Sequence, residues 1–220
     1  MSSDLLAKQR LVVIATKNEG KVKEFAEALA KLGKEVTSLR EYPEIGDIVE
    51  DGESFAANAR IKAKTAGDLL GVPVLADDSG LCVAALGGEP GIYSARFAGE
   101  GASDSDNNAK LLRELEARGA ALPDESALAD GSRMLSRAQF VCALALYDPG
   151  AGRFIEAEGA VDGVITDKPH GDGGFGYDPF FYLPQLGLGM AELSKSEKNE
   201  ISHRGEAIRA LLVKLITAVE

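Results

Sequence analysis

The run Arg10–Thr16, RLVVIAT, constrains the fold more than any other stretch of the chain. Continuous apolar sequence of this kind reads as a strand buried on both faces, which requires a sheet with helices on its faces. A helix is expected directly after it. Val22, Phe25, Ala26, Leu29 and Leu32 recur at three- and four-residue steps, and Gly33 ends the pattern.

The alternation continues. Glu35–Leu39 reads as a second strand and 40–52 as a polar loop. Glu53–Leu70 reads as a helix with Phe55, Ala59, Ala63, Ala66 and Leu70 on its inner face. Pro73–Ala76 and the segment LCVAAL at 81–86 read as separate short strands, and GGEPGIYSARFAGEG as a glycine-rich loop. Ser103–Arg118 is a further helix, with Leu111, Leu112 and Leu115 facing inward. Gln139–Tyr147 and Arg153–Val161 flank the turn DPGAG, which predicts a β-hairpin. The C-terminus closes with a helix capped by Ser202 and packed through Ile208, Leu211, Leu212, Leu215, Ile216 and Val219. Strands alternate with helices early and pair locally later. The expected fold is therefore α/β: a mixed β-sheet with flanking helices, in one domain over 1–220. Residues 119–137 are rich in Ala, Asp and Ser without periodicity, and read as an exposed, mobile insertion.

Composition narrows the partners. With a formal charge of -11 over 220 residues, the chain is no coat for nucleic acid and no binder of anionic membranes. An anionic ligand needs a local cluster of Lys, Arg or metal. Cys82 and Cys142 each lie inside an apolar run, as small buried hydrophobes do, and two cysteines make no disulfide framework. The N-terminal MSSDLLAKQR has no apolar stretch of signal-peptide length, so a soluble cytoplasmic protein is expected.

The chemistry concentrates in five places. In PVLADDSG, at 73–80, an apolar run meets Asp77 and Asp78, and the Ser-Gly pair reads as the turn that ends the strand. Adjacent carboxylates at a strand end repel and lose hydration unless something positive compensates. With Glu50 and Asp51 they form a set of hard oxygen ligands suited to Mg2+, which takes one or two carboxylates plus substrate phosphates. Lys62 lies on the apolar stripe of its helix. It either snorkels to solvent or turns inward to a carboxylate or phosphate, Asp77 and Asp78 being candidates. Thr16, Lys17, Asn18, Glu19, Gly20 and Lys21 occupy a strand-to-helix junction whose outward amides suit a phosphate. On its own that stretch is equally a plain helix start capped by Asn18, and it is not a P-loop. The loop GDGGFGYDP isolates the Phe175 ring among glycines, where it can approach a flat ligand. Lys198, His203 and Arg204, near the start of the last helix, are donors for carbonyl or phosphate oxygens. Together these are the parts of a nucleotide site.

The segments ATKNEGKVKEF, ESFAANARIKA, VLADDSGLCV, LGGEPGIYSARFAG, GGFGYDPFF and EKNEISHRGEAI resemble, in order and over nearly the whole chain, the inosine triphosphatase family. The resemblance implies two lobes around a central cleft and a homodimer. It implies hydrolysis of ITP, dITP and XTP to the monophosphate and pyrophosphate, with Mg2+. Carried over by position, it implies that Thr16 to Lys21 hold the triphosphate. Glu50 and Asp78 would be metal ligands, with Asp78 the general base. Lys62 and Asp77 would complete the catalytic centre. Ser79, Phe175, Gly176, Tyr177, Asp178, Lys198, His203 and Arg204 would line the nucleotide pocket. Lys17 departs from the pattern, which has a small residue there, and is tolerable if it faces solvent.

Within this scheme Lys17 or Lys21 would neutralise the departing pyrophosphate. Arg204 or His203 would donate to the 6-oxo group that distinguishes hypoxanthine and xanthine from adenine. Two rival functions remain open. A Maf-like pyrophosphatase for modified pyrimidine nucleotides would open with a Ser-rich, Arg-bearing loop in place of TKNEGK. A sensor that binds nucleotide without hydrolysis would have no use for the Glu50, Lys62, Asp77 and Asp78 set.

Overall fold

The structure, a computed structural model, describes residues 11–30, 33–122 and 128–217. Strand β1 (Leu11–Ile14) leads into helix α1 (Glu19–Ala30), then β2 (Glu35–Ser38), α2 (Phe55–Leu70), β3 (Val74–Val83) and α3 (Asp104–Ala117). The long strands β4 (Met134–Asp148) and β5 (Arg153–Thr166) follow, then the short β6 (Phe181–Leu183) and β7 (Leu188–Gly189). A short helix α4 (Lys195–Ile201) precedes the closing α5 (His203–Thr217). The strands form a seven-stranded sheet in the order β2-β1-β3-β4-β5-β6-β7. β1 pairs parallel with both β2 and β3, whereas β6 pairs antiparallel with β5 and β7, so the sheet is mixed.

The chain divides into two compact units. The first comprises residues 1–78, 142–159 and 204–220. Its strands alternate residue by residue between two cores, as a sheet buried on both faces must. Val12, Ile14, Leu75, Cys142, Leu144 and Leu146 meet Phe25 and Leu29 of α1 and Ala207, Ile208 and Leu211 of α5. Val13, Ala15, Val74, Ala76 and Ala145 meet Ala59, Ala63 and Ala66 of α2. Phe25 is fully and Leu29 almost fully buried, worth about 1.5–3 kcal/mol each in apolar transfer. The alanines let α2 lie close to the sheet. Its ends are set by Ser54, whose hydroxyl accepts from Ala57 N, and by left-handed Gly71. On α5, Ile216 is exposed rather than inward, and the predicted positions Leu32 and Val219 fall outside the described residues.

The second unit comprises residues 79–141 and 160–203. Leu111 and Leu115 of α3 pack with Leu81, Val83, Leu135, Phe140, Ile165, Phe181 and Leu183. A capping box joins Ser103 and Asp106 at the start of α3.

Two segments differ from the sequence expectation. The first is at Asp77–Gly80, where β3 runs without a break from Val74 to Val83 and the two short strands are one. Buried partners for both carboxylates override the turn preference of Asp, Ser and Gly. The second lies within 119–137: residues 134–137 begin β4, with Met134, Leu135 and Ser136 buried, because Leu135 joins the core around α3. Residues 123–127 of that stretch lie outside the described residues.

Candidate active site

Continuity of β3 decides how its two aspartates are used. Successive side chains of a strand point to opposite faces. Leu75 lies in the α1/α5 core and Ala76 in the α2 core, so Asp77 returns to the first side and Asp78 to the second.

On the α2 side, Lys62 holds two carboxylates at once. Its Nζ lies 2.8 Å from Glu50 Oε2 and 3.3 Å from Asp78 Oδ1. Lys62 does not snorkel; it is only 9% exposed, and its inward position is the second of the two readings its spacing allowed. Asn58, one turn before Lys62 on α2, donates from Nδ2 to Asp78 Oδ2 at 3.1 Å and accepts Gly52 N at 2.8 Å. Asn58 was not singled out from sequence, although its place four residues before Lys62 on the same helix face was the available signal. Burial pushes the Asp78 carboxyl above its ordinary range, with Lys62 opposing that shift and Glu50 adding to it. The Lys62 ammonium is raised: burial disfavours its charge, but Asp78, Asp77 and Glu50 outweigh that cost.

On the opposite face, Asp77 is fully buried among cations. Lys21 Nζ stands 2.8 Å from Asp77 Oδ2 and Arg204 Nη2 stands 3.6 Å from it. Burial works against the Asp77 charge, yet Lys21, Arg204 and Lys62 overcome it and hold the carboxyl far below its usual range. Arg204 Nη1 also meets Glu24 Oε2 of α1 at 2.6 Å, and the guanidinium is 2% exposed. The arginine read as a base donor is thus tied into an ion network within the first unit. Asp77 makes its ion pairs within that network, and Lys62 reaches it only through the longer-range attraction of its charge.

The Thr16–Lys21 junction behaves as a helix start. Asn18 Oδ1 accepts Lys21 N at 3.1 Å, Thr16 Oγ1 accepts Asn18 N at 3.1 Å, and Gly20 lies in the first turn of α1. Lys17 does face solvent, paired with Asp47 at 2.7 Å, while Glu19 pairs with Arg40.

The second unit gathers the aromatic loop. Asp178 Oδ2 accepts Phe175 N at 2.8 Å and pairs with Lys198 Nζ at 2.5 Å. Lys198 Nζ also sits 4.6 Å from the centroid of the Phe175 ring, a cation–π distance. Phe175 itself is 39% exposed. Gly174 has φ +77, and a Cβ there would stand 2.2 Å from Asp178 Oδ2, so the turn requires glycine. Tyr177 is buried and donates to Ser94 O at 2.8 Å. Ser79 follows Asp78 in β3, half-buried. His203 is buried and stacks on Phe140 at 5.0 Å between centroids. The site residues expected from sequence are therefore gathered as two sets, one within each unit.

Among the described residues no cluster of three or more His, Cys, Asp or Glu is arranged to hold a metal. Two carboxylates around one ammonium leave a net negative charge, and that donor set fits Mg2+, which completes its shell with water and phosphate oxygen.

Fold and site together define a class: a mixed α/β protein built around a lysine-bridged carboxylate pair. The chain belongs to the Ham1 family, whose model matches residues 12–214. It is 52% identical over 201 residues to a dITP/XTP pyrophosphatase of Geobacillus kaustophilus, covering 91% of each chain. A dITP/XTP pyrophosphatase of Geobacter sulfurreducens is 46% identical over 91% of this chain and 94% of its own. Among solved structures, a HAM1 protein from Coxiella burnetii superposes with a TM-score of 0.81 at 38% identity, covering 95% of this chain and all 100% of its own. The Staphylococcus aureus Ham1 protein gives 0.77 at 40% identity, over 94% and 98%.

Proposed function

We propose that the chain hydrolyses ITP, dITP and XTP to the nucleoside monophosphate and pyrophosphate, clearing these nucleotides from the pool. The observation that carries this reading is the Lys62 ammonium holding Glu50 and Asp78 together on one face of β3. A sensor that only binds has no need of a lysine-bridged carboxylate pair able to orient a water. The relatives named dITP/XTP pyrophosphatase support the purine reading over the Maf-like one.

In this reading Glu50 and Asp78 would hold Mg2+. The chemistry the ion supplies is charge neutralisation on phosphate oxygens and a coordinated water of lowered pKa. Asp78 accepts the proton of the attacking water, and Asn58 fixes the rotamer of its carboxylate. Lys62 keeps the two carboxylates from repelling each other. The amides and lysines of Thr16–Lys21 take the triphosphate, with Lys21 meeting the charge that develops on the departing pyrophosphate. Asp77 holds Lys21 in place for that task. Phe175 offers its exposed ring to the base, and Lys198 and His203 supply donors for its 6-oxo group. Adenine presents an amino donor at that position, which leaves those donors without an acceptor.

The reading extends to a cytoplasmic homodimer without nucleic-acid or membrane partners. The charge of -11 weighs against nucleic acid and anionic membranes as partners, and no described helix is long and apolar enough to cross a membrane. The test is to incubate the protein with Mg2+ and, in parallel, ITP, GTP and ATP, assaying pyrophosphate and inorganic phosphate separately. Pyrophosphate released much faster from ITP than from the other two is expected. Inorganic phosphate as the first product would place the attack at the terminal phosphorus and sink the mechanism.

A further inference from the structure

The loop bearing Phe175 is gripped from α3 by two residues that the sequence did not single out. Gly176 donates its N–H to Asp104 Oδ2 at 2.7 Å, and its carbonyl accepts from Asn108 Nδ2 at 2.8 Å. Both polar groups of one residue are therefore held by side chains at i and i+4 of one helix, which lie on one face of it. Asn108 is 8% exposed, so its amide meets little competition from water. Gly176 adopts φ +61, a left-handed conformation that glycine takes without strain. Asp178 closes the turn from the other end, through Phe175 N and Lys198.

A half-exposed aromatic ring on a glycine-rich loop would ordinarily sample many orientations, and a ligand that stacks on it would have to select one of them. We propose that Asp104 and Asn108 are positioning residues for substrate binding: they hold Gly176 so that Phe175 stands ready as a stacking platform for the purine. The proposal rests on the function above. It adds that affinity for the base is set partly by the first turns of α3, which touch neither base nor phosphate. Because the grip acts through Phe175 and away from Asp78, it bears on KM and leaves the chemical step alone.

The experiment compares the full-length wild type with Asp104→Ala, Asp104→Asn, Asn108→Leu, Phe175→Ala and the double variant Asn108→Leu/Phe175→Ala. Each is measured for kcat and KM with ITP and Mg2+, for ITP affinity by calorimetry, and for melting temperature. Asp104→Ala and Asn108→Leu are expected to raise KM and weaken ITP binding about tenfold, the order of one lost base stack, with kcat unchanged. Asp104→Asn retains an acceptor for Gly176 N–H and is expected to bind like the wild type, which separates the grip from a mere need for the helix start. In the double variant, Asn108→Leu should add nothing to Phe175→Ala, since its effect runs through that ring. Additive losses, or a fall in kcat at constant KM, would overturn the proposal. A wild type that binds ITP but releases no pyrophosphate would refute the proposed function alone, and the binding cycle would still decide the grip. A wild type that does not bind ITP would overturn both.

Discussion

Asp77 and Asp78 are neighbours in the chain and stand on opposite faces of the sheet. Asp77 lies 2.8 Å from Lys21 on the α1/α5 side, and Asp78 lies 3.3 Å from Lys62 on the α2 side. Each carboxylate has its own nearest cation, while the longer-range field of Lys62 is felt by both. Their roles separate accordingly, and the separation can be measured.

Replacing Asp78 should affect chemistry and spare the fold. Asp78→Asn keeps the shape of the side chain and removes the proposed base, so kcat for pyrophosphate release from ITP should fall by about 10²–10⁴-fold. The melting temperature should stay the same or rise, because an amide at this buried position carries no charge to desolvate.

Replacing Asp77 should do the reverse. Asp77→Asn leaves Lys21 and the buried Arg204 facing a neutral group, at a cost of about 3–5 kcal/mol in urea unfolding. The folded-state pKa of Asp77 is depressed, so its stabilisation is fully present above the ordinary carboxylate value near 3.8 and is lost as pH falls below that. Unfolding free energy measured in metal-free buffer between about pH 6 and pH 3 should therefore fall less steeply in the variant than in the wild type. Parallel slopes would assign the acid sensitivity elsewhere.

Gly174→Ala should damage binding and not turnover. The added Cβ meets Asp178 Oδ2 and the backbone is left-handed there, so the turn that seats Phe175 and Lys198 must shift. KM for ITP should rise by about tenfold or more, with kcat within a factor of about two.

Both thiols are free, and burial raises the pKa of each. For Cys142, burial pushes the value up to about 12, with Arg204 and Lys21 only partly opposing it. At pH 8 a thiol-specific disulfide reagent should leave Cys142 unmodified in the native protein and label both cysteines in urea. Rapid native labelling of Cys142 would mean that the core behind Asp77 opens.

Much of this arrangement is legible along the chain. The strand at Leu11–Ile14, the helices α1, α2, α3 and α5 and the hairpin of β4 and β5 follow from apolar spacing, because each buries a periodic face. Lys62 is legible as an oddity, a lysine on an apolar stripe. The course of β3 through Asp-Asp-Ser-Gly is not, since those residues usually end strands and only buried cations make the exception. Arg204 is illegible for a related reason. Its partner Glu24 lies 180 positions away, and no local pattern relates them. The start of β4 was hidden because Met134 and Leu135 follow a polar stretch too closely to show alternation.

The uninterrupted course of β3 also limits how such chains can vary. A strand that serves two faces carries its information in parity: odd positions belong to one chemistry and even positions to the other. Residues 77 and 78 can each be exchanged on separate terms, one judged by stability and the other by turnover. A single residue inserted or deleted upstream within β3 would hand the carboxylate paired with Lys21 to the α2 face and the one paired with Lys62 to the α1/α5 face, failing both at once. Length in this strand is therefore held more tightly than identity, the reverse of what surface loops allow.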